Sequence, residues 1–186
     1  MLTPKTISTA PEERAARKRP RWVSWIVELA LVVIIVKGVG WFQSRHLPPT
    51  GEPAPAVTFT DLQGQRHTLD ELRGKHTLLH FWATWCGVCK MEHGTLNAVH
   101  ADLDDDQALV AIAADGDDVA HLKAHIAEAG IEYPVWIADR GAVEAFKVKS
   151  FPTNFYLDPE GLLSSRDVGM SSRWGVKSRL GCEGGF

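Results

Sequence analysis

The sequence predicts an α/β domain, with a mixed central sheet flanked by helices, preceded by an N-terminal transmembrane helix. Short apolar runs of strand length alternate with helix-spaced segments after residue 56, which is typical of parallel strands joined by helices. Two later runs flank an Asp-Pro-Glu-Gly turn and predict an antiparallel hairpin, which makes the sheet mixed. A basic stretch and an apolar segment come first, in the order expected of a membrane anchor.

Composition limits the class of protein. The chain has 186 residues, which after the N-terminal segments leaves one domain of about 100–150 residues. A domain of that size buries a core without disulfide cross-links, and three cysteines are too few for a disulfide-rich scaffold. The net charge of −3 gives no reason to expect nucleic-acid binding.

The N-terminal region divides into three predicted segments. Residues 1–21 carry many of the basic side chains, residues 22–42 are apolar with tryptophans at both ends, and residues 43–55 are rich in proline. This order predicts a cytoplasmic basic segment, a single-pass anchor in the inner membrane and an extended linker. The domain that follows would then be periplasmic or otherwise extracytoplasmic. A cleaved signal peptide and a buried core helix are the alternatives.

In the first half of the domain the patterns predict two strands, a turn and two helical segments. A capping-box pattern, Thr68 followed by Glu71, starts the first helical segment, and Gly74 ends it. A continuous apolar run marks a buried strand, and helical spacing follows it. In chain order these are strand 57–60, turn 61–65, helical turn 68–72, strand 76–81 and helix 86–103.

The second half predicts the remaining elements of a domain that spans residues 56–180. Gly130 ends one helix, the hairpin follows, and glycines after residue 180 cut the last helix short. Residues 181–186 form a glycine-rich tail. The predicted elements are strand 108–114, helix 119–129, strand 133–138, helix 142–148, strands 154–157 and 162–168, and a helix from residue 171.

The pair Cys86 and Cys89, in the sequence Cys-Gly-Val-Cys, follows a predicted strand and opens a helix. A thiolate is the attacking species in disulfide exchange, and a helix N-terminus stabilises it. Cys89 lies one turn further on and is placed to resolve the mixed disulfide that Cys86 forms. The chemistry needs no cofactor, and we predict no metal. Half of a zinc site is the alternative, which would have to recruit His80 or His93.

Residues 81–90, Phe-Trp-Ala-Thr-Trp-Cys-Gly-Val-Cys-Lys, resemble the active-site segment of thioredoxin-fold proteins, above all the membrane-tethered TlpA/ResA-like thiol–disulfide oxidoreductases. Residues 59–75 resemble the N-terminal extension of that group, and 150–153, Ser-Phe-Pro-Thr, resemble its cis-proline loop. Residues 80–85 and 168–175 are most similar to the suppressor-for-copper-sensitivity D subfamily. The resemblance covers residues 56–180.

The resemblance implies a thioredoxin-like fold and a role for several residues. Cys86 would be the nucleophile and Cys89 the resolving thiol. Glu92 would tune cysteine protonation, although a solvated helix face is the alternative for a glutamate. His80 stands where thioredoxins keep a buried acid, and we expect a core histidine with hydrogen-bond partners there. A proton shuttle is the alternative. The expected substrate-binding residues are Trp85, Phe151 and Pro152, the last of them in a cis peptide.

The implied function is a membrane-anchored periplasmic oxidoreductase that exchanges its dithiol or disulfide with protein substrates. It would act as a reductant, receive electrons from a membrane dithiol donor and have a link to copper tolerance. One alternative is a thiol reductant of cytochrome c maturation. Another is a non-enzymatic module that binds Cu(I), because soft thiolates select that ion.

Overall fold

The computed structural model describes residues 21–181, apart from a few side chains of the first helix. The predicted basic segment, except for its last residue, and most of the glycine-rich tail, including Cys182, lie outside the described residues. The chain divides after Gly38 into two units, and the second unit contains the whole sheet.

The segment predicted as a membrane anchor forms helix α1, Arg21–Ser44. The large apolar side chains that the structure describes between Trp25 and Val39 are exposed. Within residues 21–181, the structure contains no helix with both the length and the apolar character needed to cross a membrane.

Within the described residues, seven strands form one sheet in the order β2-β1-β5-β4-β3-β6-β7. The central strands β3, β4 and β5 are parallel, and the other pairings are antiparallel. The sheet is therefore mixed, as predicted. The strands are β1 Thr58–Asp61, β2 Arg66–Thr68, β3 His76–Trp82, β4 Gln107–Ala113, β5 Val135–Ile137, β6 Thr153–Leu157 and β7 Leu163–Val168.

Side-chain caps fix where the remaining helices begin. Asp118, Asp139 and Ser172 each accept a backbone N–H from three residues ahead, at 3.0, 2.7 and 3.1 Å, which satisfies otherwise unpaired donors. Gly130 ends one helix with φ of 62°, a conformation that favours glycine. These helices are α2 Gly87–His100, α3 Val119–Ala129, α4 Arg140–Ala145 and α5 Arg173–Leu180.

Alternate residues of the central strands fill two separate cores. On one face Leu78 and Trp82 pack with α2, α3 and α5. On the other face Leu79 and Phe81 pack with α4, and the ring of Phe81 lies 5.0 Å from that of Phe146. Because a strand alternates its side chains, a strand buried on both faces is almost continuously apolar. That composition is what predicted β3 and β4.

Two features differ from the sequence expectations. Strand β2 was not predicted, because three residues with exposed ends are too few to show an alternation of apolar and polar side chains. The strand forms by pairing with β1, where its middle residue lies opposite Phe59. The segment predicted as an extended linker packs along the start of β7. The N–H of Gly51 donates to the carbonyl of Leu163 at 2.8 Å, and the N–H of Leu163 donates to Glu52 at 2.9 Å. This segment therefore covers part of the sheet edge.

Candidate active site

Cys86 and Cys89 form a disulfide where β3 leads into α2, with Cα atoms 5.3 Å apart. Cys86 is the N-cap residue of α2, and its Sγ accepts the backbone N–H of Cys89 at 3.2 Å. Cys86 is 5% exposed, whereas Cys89 is fully buried. The helix N-terminus stabilises negative charge at the Cys86 sulfur, so the sulfur nearer the surface is also the one suited to be a thiolate.

The loop before the cysteines is tied to the neighbouring strand. The backbone N–H and the hydroxyl of Thr84 both donate to Oδ2 of Asp115, at 2.9 and 2.7 Å. Asp115 follows β4, which runs parallel to β3 with Trp82 opposite Ala113. Sequence reasoning missed this contact, because Thr84 and Asp115 are 31 residues apart and meet only through the parallel pairing.

The three residues predicted to bind substrate lie close to the cysteines. The Phe151–Pro152 peptide is cis, as the resemblance implied, and Pro152 is buried. Trp85 is 69% exposed, and its ring meets the edge of Phe151 with centroids 5.7 Å apart. Val88, which stands between the two cysteines, lines the same cavity as Phe151 and Pro152. The structure thus brings the predicted binding residues to the disulfide.

Glu92 lies on α2 one turn beyond Cys89 and is fully buried, which corrects the alternative of a solvated helix face. Its Oε1 accepts the backbone N–H of Ser171 at 2.8 Å. Its Oε2 is buried with no hydrogen-bond partner among the described residues. Desolvation raises the pKa of Glu92 to about 7, because burial disfavours the charged form.

A chain of hydrogen bonds connects Glu92 to the centre of the sheet. His80, Asn154 and Asp167 are direct neighbours on β3, β6 and β7. Asn154 accepts a hydrogen bond from Nδ1 of His80 at 2.8 Å and donates to Asp167 at 2.9 Å. Ser171 donates its hydroxyl to Asp167 at 3.2 Å. Burial lowers the pKa of His80 to about 4, so the ring is neutral at pH 7.

Sequence reasoning missed Asn154, Asp167 and Ser171 as parts of this network. Asn154 and Asp167 do fall inside the predicted hairpin, and an asparagine within an otherwise apolar strand was the available signal. The sequence did not reveal the register of β6 against β3 and β7, and this register places the two side chains beside each other and Asn154 beside His80. His80 itself is a buried, hydrogen-bonded core histidine, as expected.

Within residues 21–181, no group of three or more His, Cys, Asp or Glu side chains is arranged to hold a metal ion. The histidines considered for a zinc site have other partners. His80 bonds to Asn154, and Nδ1 of His93 lies 2.7 Å from the hydroxyl of Tyr133.

In a comparison with protein-family models, residues 50–166 match the AhpC/TSA family. This match covers more than half of the chain. The chain belongs to the AhpC/TSA family. The chain is also 28% identical to the thiol-disulfide oxidoreductase ResA of Bacillus thuringiensis (strain Al Hakam), over 77% of the chain and 87% of that protein.

Two further proteins match the chain over similar lengths. The chain is 26% identical to the thioredoxin-like protein YneN of Bacillus subtilis (strain 168), over 86% of the chain and 96% of that protein. The crystal structure of a thiol:disulfide interchange protein of the thioredoxin family from Chlorobium tepidum TLS matches with a TM-score of 0.62 and 26% identity. That match covers 72% of the chain and 96% of the solved one.

These comparisons confirm two predictions. The domain has the thioredoxin-like α/β fold, and the protein is a thiol–disulfide oxidoreductase.

We predict that Glu92→Gln flattens the pH dependence of stability of the oxidised protein. The folded-state pKa of Glu92, about 7, lies above its ordinary value of 4.5. The free energy of unfolding is therefore highest below pH 4.5, where Glu92 is protonated in both the folded and the unfolded state. It decreases by on the order of 3 kcal/mol as the pH rises through about 7, because ionisation costs more for the buried carboxyl than for the same group in the unfolded chain. Urea unfolding between about pH 5 and pH 8 measures this loss, which glutamine cannot undergo.

The matched control is Glu128→Gln, which removes an exposed carboxylate from α3. It should leave the wild-type pH profile unchanged. If the free energy of unfolding of wild type and Glu92→Gln changed with pH in the same way, ionisation of the buried Glu92 would not destabilise the folded protein, and the prediction would be wrong.

Proposed function

We propose that the protein is a membrane-anchored, extracytoplasmic reductant of protein disulfides, with Cys86 as nucleophile and Cys89 as resolving thiol. The observation that carries the proposal is the placement of Cys86 at the N-terminus of α2, beside the cis-proline loop and above the buried Cys89. The family relatives named as thiol-disulfide oxidoreductases support the reaction type.

The reaction has two steps that balance in atoms and electrons. The Cys86 thiolate attacks one sulfur of the client disulfide, forms a mixed disulfide and releases the other client sulfur as a thiolate. Cys89 then loses its proton, attacks Cys86 and releases the second client thiol. Two electrons pass to the client, and the Cys86–Cys89 disulfide is left to be reduced by a membrane dithiol donor.

Client binding is assigned to the residues around this sulfur. The backbone of Phe151, before Pro152, would pair with the client chain as an added strand. Exposed apolar side chains would contact client side chains, since exposed apolar patches commonly mark protein-binding surfaces. These side chains are Trp85, Val88, Met91, Met170 and Trp174.

Glu92 favours the reducing direction. A carboxylate one turn from Cys89 opposes a second negative charge on sulfur, because like charges in a buried site disfavour one another. Strong oxidants of this fold have a stabilised reduced form. Because Glu92 makes a thiolate in the reduced protein less stable, the reduced protein is a better electron donor.

We predict a reduction potential nearer to that of thioredoxin, about −270 mV, than to that of DsbA, about −120 mV. Equilibration with glutathione buffers measures it. Glu92→Gln should raise the potential by roughly 10–30 mV, because removal of the carboxylate makes the thiolate less costly, and Glu128→Gln should not change it. A wild-type potential near that of DsbA would overturn the reducing role.

We predict that Cys89→Ala traps a mixed disulfide with an oxidised client protein, for which insulin is the probe. Without the Cys89 thiol, the mixed disulfide between Cys86 and the client cannot be resolved. Cys86→Ser should form no complex and should lose turnover by on the order of 10³-fold or more. Non-reducing gels and the insulin reduction rate measure the two outcomes, with Cys182→Ser as the background in every variant. If Cys89→Ala traps nothing, the exchange mechanism is wrong.

The proposed location has its support in the N-terminal region. Basic residues precede an apolar segment in the sequence, and α1 exposes its large apolar side chains. Basic residues before an apolar helix favour retention of the N-terminus in the cytoplasm. A link to copper tolerance stays a prediction from the resemblance, which growth of a deletion strain on copper salts tests.

We predict that a membrane-impermeant maleimide labels Cys86 in intact producing cells after mild reduction, in a Cys182→Ser background. The protein should also remain in the membrane fraction after alkaline extraction. A cytosolic thiol protein in the same cells is the control and should stay unlabelled. Labelling only after lysis would contradict the extracytoplasmic location.

A further inference from the structure

A basic cavity of about 550 Å³ adjoins the disulfide. Val88, Phe151 and Pro152 form its side towards the cysteines. The remaining lining comes from the end of α1 and the two residues after it, from the cis-proline loop, and from the end of β7 and the glycine after it. These residues are Phe42, Arg45, His46, Lys149, Ser150, Val168 and Gly169. Segments far apart in the sequence thus meet at one cavity beside the proposed nucleophile.

The charges around the cavity are all positive. Arg45 and Lys149 line it, and Arg166 of β7 joins them in facing His46. After desolvation, these three cations are the causes that lower the pKa of His46. None of the described residues that line the cavity is acidic.

These cations have no acidic partners in the described part of the chain. No ion pair of Arg45, Lys149 or Arg166 is found within residues 21–181. The Arg45 guanidinium lies over the ring of Phe42, 4.1 Å from its centroid, and Arg166 donates to the backbone carbonyl of Pro48. Unpaired cations on a partly apolar surface are suited to bind a carboxylate from another molecule.

We propose that this cavity is a specificity subsite that receives an aspartate or glutamate side chain of the client protein, close to the client's reacting cysteine. The proposal rests on the proposed function and adds the chemistry of the client. The client chain must pass Phe151 and Pro152 to present its sulfur to Cys86, and the cavity begins at those residues. An acidic side chain near that cysteine therefore reaches Arg45 and Lys149.

The charge of the whole molecule makes the cavity selective. The net charge is −3, so most of the surface does not attract an acidic client. A local cationic site on such a molecule fixes where an acidic client docks and speeds encounter at that place. A basic client gains nothing there and is disfavoured beside three like charges.

The test uses two synthetic peptides, each with one cysteine activated as a 2-thiopyridyl disulfide. One peptide has glutamate on both sides of the cysteine, and the other has glutamine at the same positions. Stopped-flow release of pyridine-2-thione gives the second-order rate constant with the reduced full-length protein. At low ionic strength we expect the glutamate peptide to react roughly five-fold faster, and the difference should shrink as salt screens the charges.

The matched variants are Lys149→Glu and Lys123→Glu, which change the net charge equally. Lys149 is an exposed residue of the cavity, whereas Lys123 is an exposed residue of α3 that does not line it. Lys149→Glu should abolish or reverse the preference for the glutamate peptide, and Lys123→Glu should keep it. An equal effect of both variants would attribute the preference to net charge and overturn the subsite.

The remaining outcomes separate this proposal from the proposed function. Equal rates for the two peptides with the wild-type protein would overturn the subsite and leave the exchange mechanism intact. Failure of both peptides to react would overturn the exchange mechanism itself. If Lys149→Glu weakens binding to phosphatidylglycerol vesicles and leaves the peptide preference unchanged, the cavity binds lipid headgroups and the proposal is wrong.

Discussion

The junction between β3 and α2 is the constraint on which the site depends. Strand β3 lies inside the sheet, paired with β4 on one side and β6 on the other, so its end cannot move without breaking both ladders. Thr84 ties the following loop to Asp115. The chain must then turn into α2 at Cys86, and the helix geometry places Cys89 in the core below it. One sulfur is reachable and the other is protected because of this junction.

Beneath the disulfide, the fold accepts polar groups where an apolar core would cost less. His80, Asn154 and Glu92 are fully buried, and burial of such groups is tolerated when hydrogen bonds replace water. The replacement is incomplete, since Nε2 of His80 and Oε2 of Glu92 have no partner among the described residues. Departures of this kind from the rules of core packing are expected at functional sites. Here they put an ionisable carboxyl, with a pKa of about 7, one helical turn from Cys89, the proposed resolving cysteine.

The surface around the disulfide has an apolar part and a cationic part. Exposed Trp85, Val88 and Met91 form an apolar side along the start of α2, whereas Arg45 and Lys149 make the cavity beyond Phe151 cationic. The apolar side suits many clients, because burial of apolar area is non-directional. In the proposed subsite, the cationic side would discriminate between clients, because charges across an interface reject unsuitable partners more strongly than they add affinity.

The sequence alone determined the features that depend on local interactions. Strand β3, the hairpin of β6 and β7, and helix α3 with its glycine stop follow from periodicity and capping, which act over a few residues. The position of the cysteine pair at the start of α2 was likewise predicted from its own motif. Only the tertiary structure decided that Glu92 is buried, that Asn154 lies between His80 and Asp167, that the proline-rich segment packs on β7, and that Arg45 reaches the cavity beside Phe151. Each of these depends on strand register or on contacts between distant segments, and the sequence near a residue does not specify which distant surface will cover it.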